Sequence, residues 1–150
     1  MGKMCPTIQI DDDLHAWLLD QADALRHRRW QSLDVEHLAE ELEDMAAQQR
    51  REMRKHLKKL LLHLLKFYAQ PEEKEHHHSW RKSVREARED ISDLLKDSPG
   101  IFRGKRQEFL SEAYERARED AVDETGLSRE HFPDECPWDF DKMMDRAFYP

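Results

Sequence analysis

The fold is decided by residues 33–69, which read LDVEHLAEELEDMAAQQRREMRKHLKKLLLHLLKFYA and contain neither Gly nor Pro. Residues 34–44 carry six carboxylates and no Lys or Arg, whereas residues 50–66 carry seven cations and the single anion Glu52. A helix macrodipole favours negative charge near its N-terminus and positive charge near its C-terminus, so this order of charge indicates one helix. At 1.5 Å per residue that helix is roughly 50 Å long, and we predict that shorter helices pack around it.

The apolar residues of this stretch recur at helical spacing in two series. The first series is Val35, Leu38, Leu42 and Met45, followed by Gln49. The second series is Met53, Leu57, Leu60, Leu64 and Phe67. Each series marks one side of a helix as the side to be buried. The register shifts where the charge changes sign, so the sequence leaves open whether the helix continues through Gln48 and Gln49.

Shorter helical patterns flank this stretch on both sides, near residues 11–29, 79–97 and 101–125. Asp11, Asp12 and Asp13 are candidate N-caps for the first, Ser79 is the predicted cap of the second, and Gly126 is a suitable stop for the third. We therefore predict an all-α fold, a helical bundle of four main helices organised around one long central helix, with a short C-terminal helix. Residues 1–10 are predicted to be a flexible arm, and residues 11–150 a single domain.

Composition excludes several classes of protein. Charged residues make up 39% of the 150-residue chain, and the formal net charge is −8, which disfavours general binding to nucleic acid. No run of about 18 apolar residues occurs, so we predict no membrane span and a cytoplasmic location. The two cysteines, Cys5 and Cys136, lie far apart without a CxxC spacing, and we predict reduced thiols.

Six segments resemble a known family. They are LDVEHLAEELEDM (33–45), HLLKF (63–67), SWRKSVREAREDI (79–91), LLKDSP (94–99), AYERAREDAVDETGLS (113–128) and FPDECPW (132–138). In this order they resemble the bacterial family called domain of unknown function 29, over about residues 11–150. The resemblance implies an all-helical bundle and implies no catalytic role for any residue.

The acidic half of the long helix contains a candidate metal site. His37, Glu40, Glu41 and Asp44 follow the spacing that places side chains on one side of a helix. An imidazole and carboxylates are suitable ligands for a divalent metal, although one helix rarely completes a site alone. The competing interpretation is a solvated acidic first turn that complements the helix dipole, and it is the one we favour.

Two further groups are candidates for binding. The basic residues Arg50, Arg51, Arg54, Lys55, Lys58 and Lys59 are predicted to form an interaction patch. They suit contact with phosphates, but the preferred interpretation is a solvated side of the helix that complements its dipole. In that interpretation the patch pairs with acidic helices, or with the acidic region 123–145, of this chain or of another copy. His56 and His63 lie seven residues apart, and we predict half-buried rings that hydrogen-bond to neighbouring groups.

The sequence thus favours a non-enzymatic protein-interaction module that binds a protein partner or a second copy of itself. Segregated charge, limited apolar content and the absence of nucleophile or phosphate-loop motifs support this prediction. No cofactor is predicted for it. The alternative is a metal-dependent enzyme, conceivably a hydrolase, that uses a divalent metal at the acidic cluster. Nucleic-acid binding through the basic half is the third candidate.

Overall fold

The structure, a computed structural model, describes residues 8–150, which form five α-helices and two short 3₁₀ turns. The helices are α1 (Leu14–Arg26), α2 (Val35–Ala69), α3 (His77–Asp97), α4 (Arg106–Thr125) and α5 (Phe140–Met144). The 3₁₀ turns are Trp30–Ser32 and Arg129–His131. Residues 8–150 contain no strand, and the predicted all-α bundle is confirmed. The first seven residues of the predicted arm, with Cys5, lie outside the described residues.

Helix α2 is continuous through Gln48 and Gln49 over all 35 of its residues. Asp34 caps its beginning, because its Oδ1 accepts a hydrogen bond from the backbone N–H of His37 at 3.3 Å. The helix ends two residues before Pro71, whose ring cannot continue a helical ladder. The predicted long central helix is therefore confirmed, and the structure answers the question of continuity that the sequence left open.

Local capping signals fix several other helix ends. Asp13 caps α1 by accepting from the backbone N–H of Ala16 at 2.9 Å. Gly126 ends α4 in the left-handed conformation with φ of 71°, which Gly adopts without steric cost. The predicted cap at Ser79 is wrong, because α3 begins two residues earlier and Ser79 Oγ donates to the carbonyl of His76. The ring of His77 packs against Phe67 at a centroid distance of 4.9 Å, which holds this extra turn in place.

The chain forms two compact units, one ending at Ala47 and the other comprising Gln48–Pro150. The N-terminal unit, as described from residue 8, holds α1 and the acidic beginning of α2. The C-terminal unit holds the remainder of α2 together with α3, α4 and α5. The single domain predicted over residues 11–150 stays a prediction, which unfolding measurements on the whole chain would test.

The main hydrophobic core lies in the C-terminal unit. Its α2 contribution includes the predicted second series, in which every member is at most 3% exposed: Met53, Leu57, Leu60, Leu64 and Phe67. Helix α3 adds Val84, Ala87 and Ile91, and α4 adds Ala113, Ala117 and Ala121. The small side chains of α4 permit close approach of its neighbours, because an alanine face projects little beyond the backbone.

Two buried arginines attach the irregular C-terminal segment to this core. Arg88 on α3 donates from Nε to the carbonyl of Met143 at 2.7 Å and from Nη2 to that of Phe148 at 2.8 Å. Arg118 on α4 donates from Nη2 to the carbonyl of Phe132 at 3.0 Å and to Asp134 Oδ1 at 2.7 Å. Each arginine belongs to a tetrapeptide Ala-Arg-Glu-Asp, beginning at residues 87 and 117.

Tyr114 makes a third attachment, one helical turn before Arg118. Its hydroxyl donates to the carbonyl of Pro133 at 2.6 Å. Burial raises the pKa of Tyr114 to about 12, so the hydroxyl stays protonated and able to donate at neutral pH. The segment that follows α4 is therefore held by side-chain donors rather than by regular secondary structure.

Candidate interaction face

The N-terminal unit carries most of the exposed apolar side chains of the described chain. Nine large hydrophobic side chains are exposed among residues 8–150, and one of them, Tyr68, belongs to the C-terminal unit. The other eight are Leu14, Leu18, Leu19, Leu25, Trp30, Val35, Leu42 and Met45. Single exposed apolar residues are ordinary on protein surfaces, but this concentration within 32 positions of one unit is not.

The first apolar series of α2 supplies three of these exposed side chains. Val35, Leu42 and Met45 are 66%, 63% and 65% exposed. At about 100° per residue they lie, with Leu38 and two alanines, Ala39 and Ala46, on one arc roughly 120° wide. An arc of this width normally faces a protein core. Here the pattern of a buried helix face is present, but only Leu38 and Ala46 are half-buried and the other four side chains are exposed.

Helix α1 presents a second apolar stripe beside its buried side. Leu14, Leu18 and Leu25 recur at spacings of four and seven residues and are 40–45% exposed. The buried side of α1 includes Gln21, which is 2% exposed. Its Oε1 accepts from the backbone N–H of Asp34 at 2.8 Å, so one side chain joins α1 to the beginning of α2. The α1 stripe is thus fixed on a structured element.

The charge of the N-terminal unit is strongly negative. Residues 8–47 carry eleven carboxylates and three cations, whereas residues 48–150 carry 22 carboxylates and 21 cations. On α2, Glu36 and Glu43 border the apolar arc on one side and Glu41 borders it on the other. The exposed apolar arc is therefore flanked by carboxylates along both edges.

The four residues of the predicted metal site lie along this same part of α2. His37 Nδ1 contacts Asp34 Oδ2 at 2.6 Å, and this hydrogen bond raises the pKa of His37 and lowers that of Asp34. Glu40 and Asp44 are exposed and Glu41 is half-buried. Within the described chain, the only three ligand-type side chains whose atoms approach within 4.8 Å of one another are Glu73, Glu75 and His76. The structure does not gather the predicted ligands around one point.

The predicted basic patch divides into paired and unpaired members. Carboxylates of α3 and α4 pair with three of its side chains, each at 3.0 Å: Arg54 with Glu112, Lys58 with Asp120 and Lys59 with Glu86. Arg51 instead donates to the neutral amide oxygen of Gln48. Carboxylates of the same chain therefore pair with half of the patch.

His56 and His63 are both half-buried on the C-terminal half of α2. His56 lies between two carboxylates, with Nδ1 at 3.2 Å from Asp90 and Nε2 at 3.7 Å from Glu52. His63 Nδ1 is 2.8 Å from the carbonyl of Lys59. Burial lowers the pKa of His63, and the nearby Lys66 lowers it further while Glu124 opposes the change. Both rings have the side-chain or backbone partners that their half-buried positions require.

Cys136 is the one cysteine among residues 8–150, and its surroundings suit a structural role. Its Sγ contacts the carbonyl of Trp138 at 3.2 Å, and burial raises the pKa of the thiol. A raised pKa reduces the thiolate fraction and hence the nucleophilicity at neutral pH. Cys136 therefore helps to hold the turn that begins the last segment of the chain.

The sequence reasoning missed the two arginine attachments, although a signal was present. The tetrapeptide at residues 87–90 recurs at residues 117–120, and in both copies the final aspartate pairs with a basic side chain of α2. Charge counting treats such arginines as solvent-facing, because a lone arginine costs energy to bury. In both tetrapeptides the arginine follows an alanine of the apolar series, and this repetition was the available sign that the arginines are buried.

Comparisons with known proteins place the chain in a family but not in a functional class. None of the helices of residues 8–150 is long and apolar enough to cross a membrane. No curated protein and no solved structure matches the chain. A family model matches residues 10–149, nearly the whole chain. The chain therefore belongs to the family described as Domain of unknown function DUF29.

Proposed function

We propose that this protein is a non-enzymatic, cytoplasmic interaction module that binds a partner helix on the apolar arc of α2. The proposal rests on the exposure of Val35, Leu42 and Met45, which lie on an arc with the pattern of a buried helix face. Covering such a side chain removes apolar area from water, worth about 1 to 2 kcal/mol for each residue. The proposed function requires no cofactor.

The charge along the arc selects the chemistry of the partner. Glu36, Glu41 and Glu43 border the arc, and residues 8–47 hold an excess of eight carboxylates. A helix with an apolar stripe flanked by Lys and Arg complements this surface in both shape and charge. The partner is therefore a cationic amphipathic helix.

A second copy of the chain fits this surface less well. Pairing two N-terminal units through the same arc would bring together two surfaces that each carry this excess of negative charge. The cations of the basic half of α2 would be the natural compensation. Three of them already pair with Glu86, Glu112 and Asp120 of their own chain. Charge therefore favours a different protein over self-association.

The test uses two synthetic helices that differ in charge alone. One is an amphipathic peptide of about 18 residues, built from Leu and Lys, which spans about 27 Å as a helix. The other carries Glu in place of every Lys. We expect the Lys peptide to bind by isothermal titration calorimetry, with an affinity that falls as salt rises, and the Glu peptide not to bind.

Variants of the chain locate the binding surface. Leu42→Gln combined with Met45→Gln removes two apolar contacts, and we expect at least about a tenfold loss of affinity for the Lys peptide. Leu19→Gln is the matched control, because Leu19 is 61% exposed and belongs to α1 rather than to the apolar arc of α2. An unchanged affinity in the double variant would show that the arc is not the docking face.

Sedimentation separates the partner helix from self-association. We expect a monomer at high micromolar concentration for the wild-type chain. A dimer that dissociates in the Leu42→Gln, Met45→Gln variant would assign the arc to a second copy instead. Equal binding of the Lys and Glu peptides would be consistent with an apolar docking face but would contradict the proposed preference for a cationic helix.

A further inference from the structure

A cleft between α2 and α4 gathers cations from both helices of the C-terminal unit. It has a volume of about 260 Å³. One wall consists of four basic residues spaced along one side of α2, Arg51, Arg54, Lys55 and Lys58. The other wall contains Glu112 and Arg116 of α4, and the small, buried Ala113 leaves the space between the helices open. Arg116 was not part of the predicted patch, and α4 brings it there.

Two of the five cations are held in place by partners in the chain. Arg54 Nε donates to Glu112 Oε2 at 3.0 Å, and its guanidinium carbon lies 4.3 Å from the centre of the Phe109 ring. Lys58 Nζ is 3.0 Å from Asp120 Oδ2. These contacts restrict the side chains before any ligand arrives, which reduces the entropy that binding must overcome.

The other three cations have no carboxylate partner within the described chain. No carboxylate oxygen of residues 8–150 lies within 4.0 Å of the charged nitrogens of Arg51, Lys55 or Arg116. All three side chains are exposed. With five cations and Glu112 as the sole anion, the lining has a formal excess of four positive charges. The whole C-terminal unit is nearly neutral, so this excess is local.

The lining determines what kind of ligand could bind. Arginine and lysine side chains offer N–H donors and no acceptors, so a ligand here must supply acceptor oxygens and several negative charges. The cleft is somewhat smaller than the 300 Å³ or more of typical drug-sized pockets, which favours a compact molecule. It contains no aromatic side chain on which a nucleic-acid base could stack.

We infer that this cleft binds a compact polyanion carrying two or more phosphate groups. Arg51 lines the α2 wall and Arg116 the α4 wall, and guanidinium groups suit bidentate contact with phosphoryl oxygens. At Arg51 the ligand would replace the hydrogen bonds that Nε and Nη2 donate to Gln48 Oε1. Lys55 adds a point charge on the α2 wall, four residues after Arg51. At physiological salt the Debye length is about 8 Å, so a ligand in the cleft senses the lining charges more than the net charge of −8.

The test titrates the whole chain with inorganic pyrophosphate at constant ionic strength, by calorimetry. We expect saturable binding of one equivalent, with inorganic phosphate binding more weakly because it offers one phosphoryl group. Arg51→Gln combined with Arg116→Gln should weaken pyrophosphate binding by about tenfold or more, since each charged hydrogen bond is lost together with its cation. Both side chains are exposed, and circular dichroism should show an unchanged helix content.

A charge-matched variant controls for general electrostatics. Arg26→Gln combined with Arg146→Gln removes the same two charges at exposed positions outside the cleft, and we expect wild-type affinity for pyrophosphate. Equal weakening in both double variants would overturn the inference, and so would the absence of binding at millimolar pyrophosphate. Tighter binding of citrate than of pyrophosphate would assign the cleft to carboxylates. Tighter binding of a single-stranded oligonucleotide would assign it to nucleic acid, and each of these results would also overturn the inference.

Discussion

Replacing Arg118 with Met should destabilise the protein by about 2 to 4 kcal/mol. Methionine preserves the apolar stem of the buried arginine, so the loss reports its hydrogen bonds. The buried bond to the carbonyl of Phe132, at 3.0 Å, is a charged hydrogen bond worth about 1.5 to 3 kcal/mol. The contact with the carbonyl of Arg129 is longer, at 3.3 Å, and adds less. Asp134 is 95% exposed, so its ion pair contributes at most about 1 kcal/mol.

Urea unfolding of three variants separates these contributions. Arg116→Met is the matched control, because Arg116 is exposed two residues earlier on the same helix, and its change should stay within about 0.5 kcal/mol. Asp134→Asn removes the exposed ion pair while leaving the backbone contacts, and should cost less than about 1 kcal/mol. Amide hydrogen exchange should rise in residues 127–139 of Arg118→Met, because that segment loses its attachment to α4.

Two results would refute this reasoning. If Arg118→Met and Asp134→Asn lose equal free energy of unfolding, the surface ion pair rather than the buried carbonyl contact is what stabilises the segment. If Arg118→Met unfolds at the wild-type urea midpoint with an unchanged slope, the arginine fills space without stabilising the loop.

Three further changes have expected outcomes. Arg88→Met should increase amide exchange in residues 140–150, because it removes the donors to two carbonyls of that segment. The lowered pKa of His63 means that the unfolded state binds more protons, so the free energy of unfolding should fall as pH drops below about 6.5. His63→Asn should reduce that fall when unfolding is compared at pH 7.5 and 5.5. Gly126→Ala should cost about 1 kcal/mol because φ is positive there, whereas Gly100→Ala, with no contact within 4 Å, should cost much less in the same thermal melts.

The parts of the fold that depend on neighbouring residues were predictable from sequence. Asp13 caps the beginning of α1 and Gly126 terminates α4, each by interactions within about one turn. The order of charge along α2 favours one helix, although the shift between its apolar series left its continuity open. The beginning of α3 was less predictable, because contacts of His77 with Phe67 extend that helix beyond its local signal. Tertiary packing of this kind is absent from any short window of sequence.

Contacts between residues far apart in the chain could not be predicted from local sequence. Lys59 pairs with Glu86, and Arg54 with Glu112, across separations of 27 and 58 residues, and charge order alone does not choose among the many carboxylates available. The same limit applies to the cleft, since Arg116 reaches it only because α4 lies against α2. Periodicity identifies the apolar side of a helix but does not show whether another element covers it, as the exposed Val35 and Leu42 demonstrate.

The two halves of α2 differ in a way that supports the proposed docking face at its beginning. Both halves carry an apolar series and a charge of one sign, so an element that covers either half would be complementary if it were apolar and of opposite charge. In the basic half, α3 and α4 meet both requirements, because they bury Leu57 and Leu60 and supply Glu86 and Asp120. In the acidic half, Leu42 stays exposed and the unit as described has few cations. A partner on the acidic half would do what α3 and α4 do on the basic half, which is to cover the apolar side chains and neutralise the charge. Because the charge here is negative, that partner would be a cationic amphipathic helix.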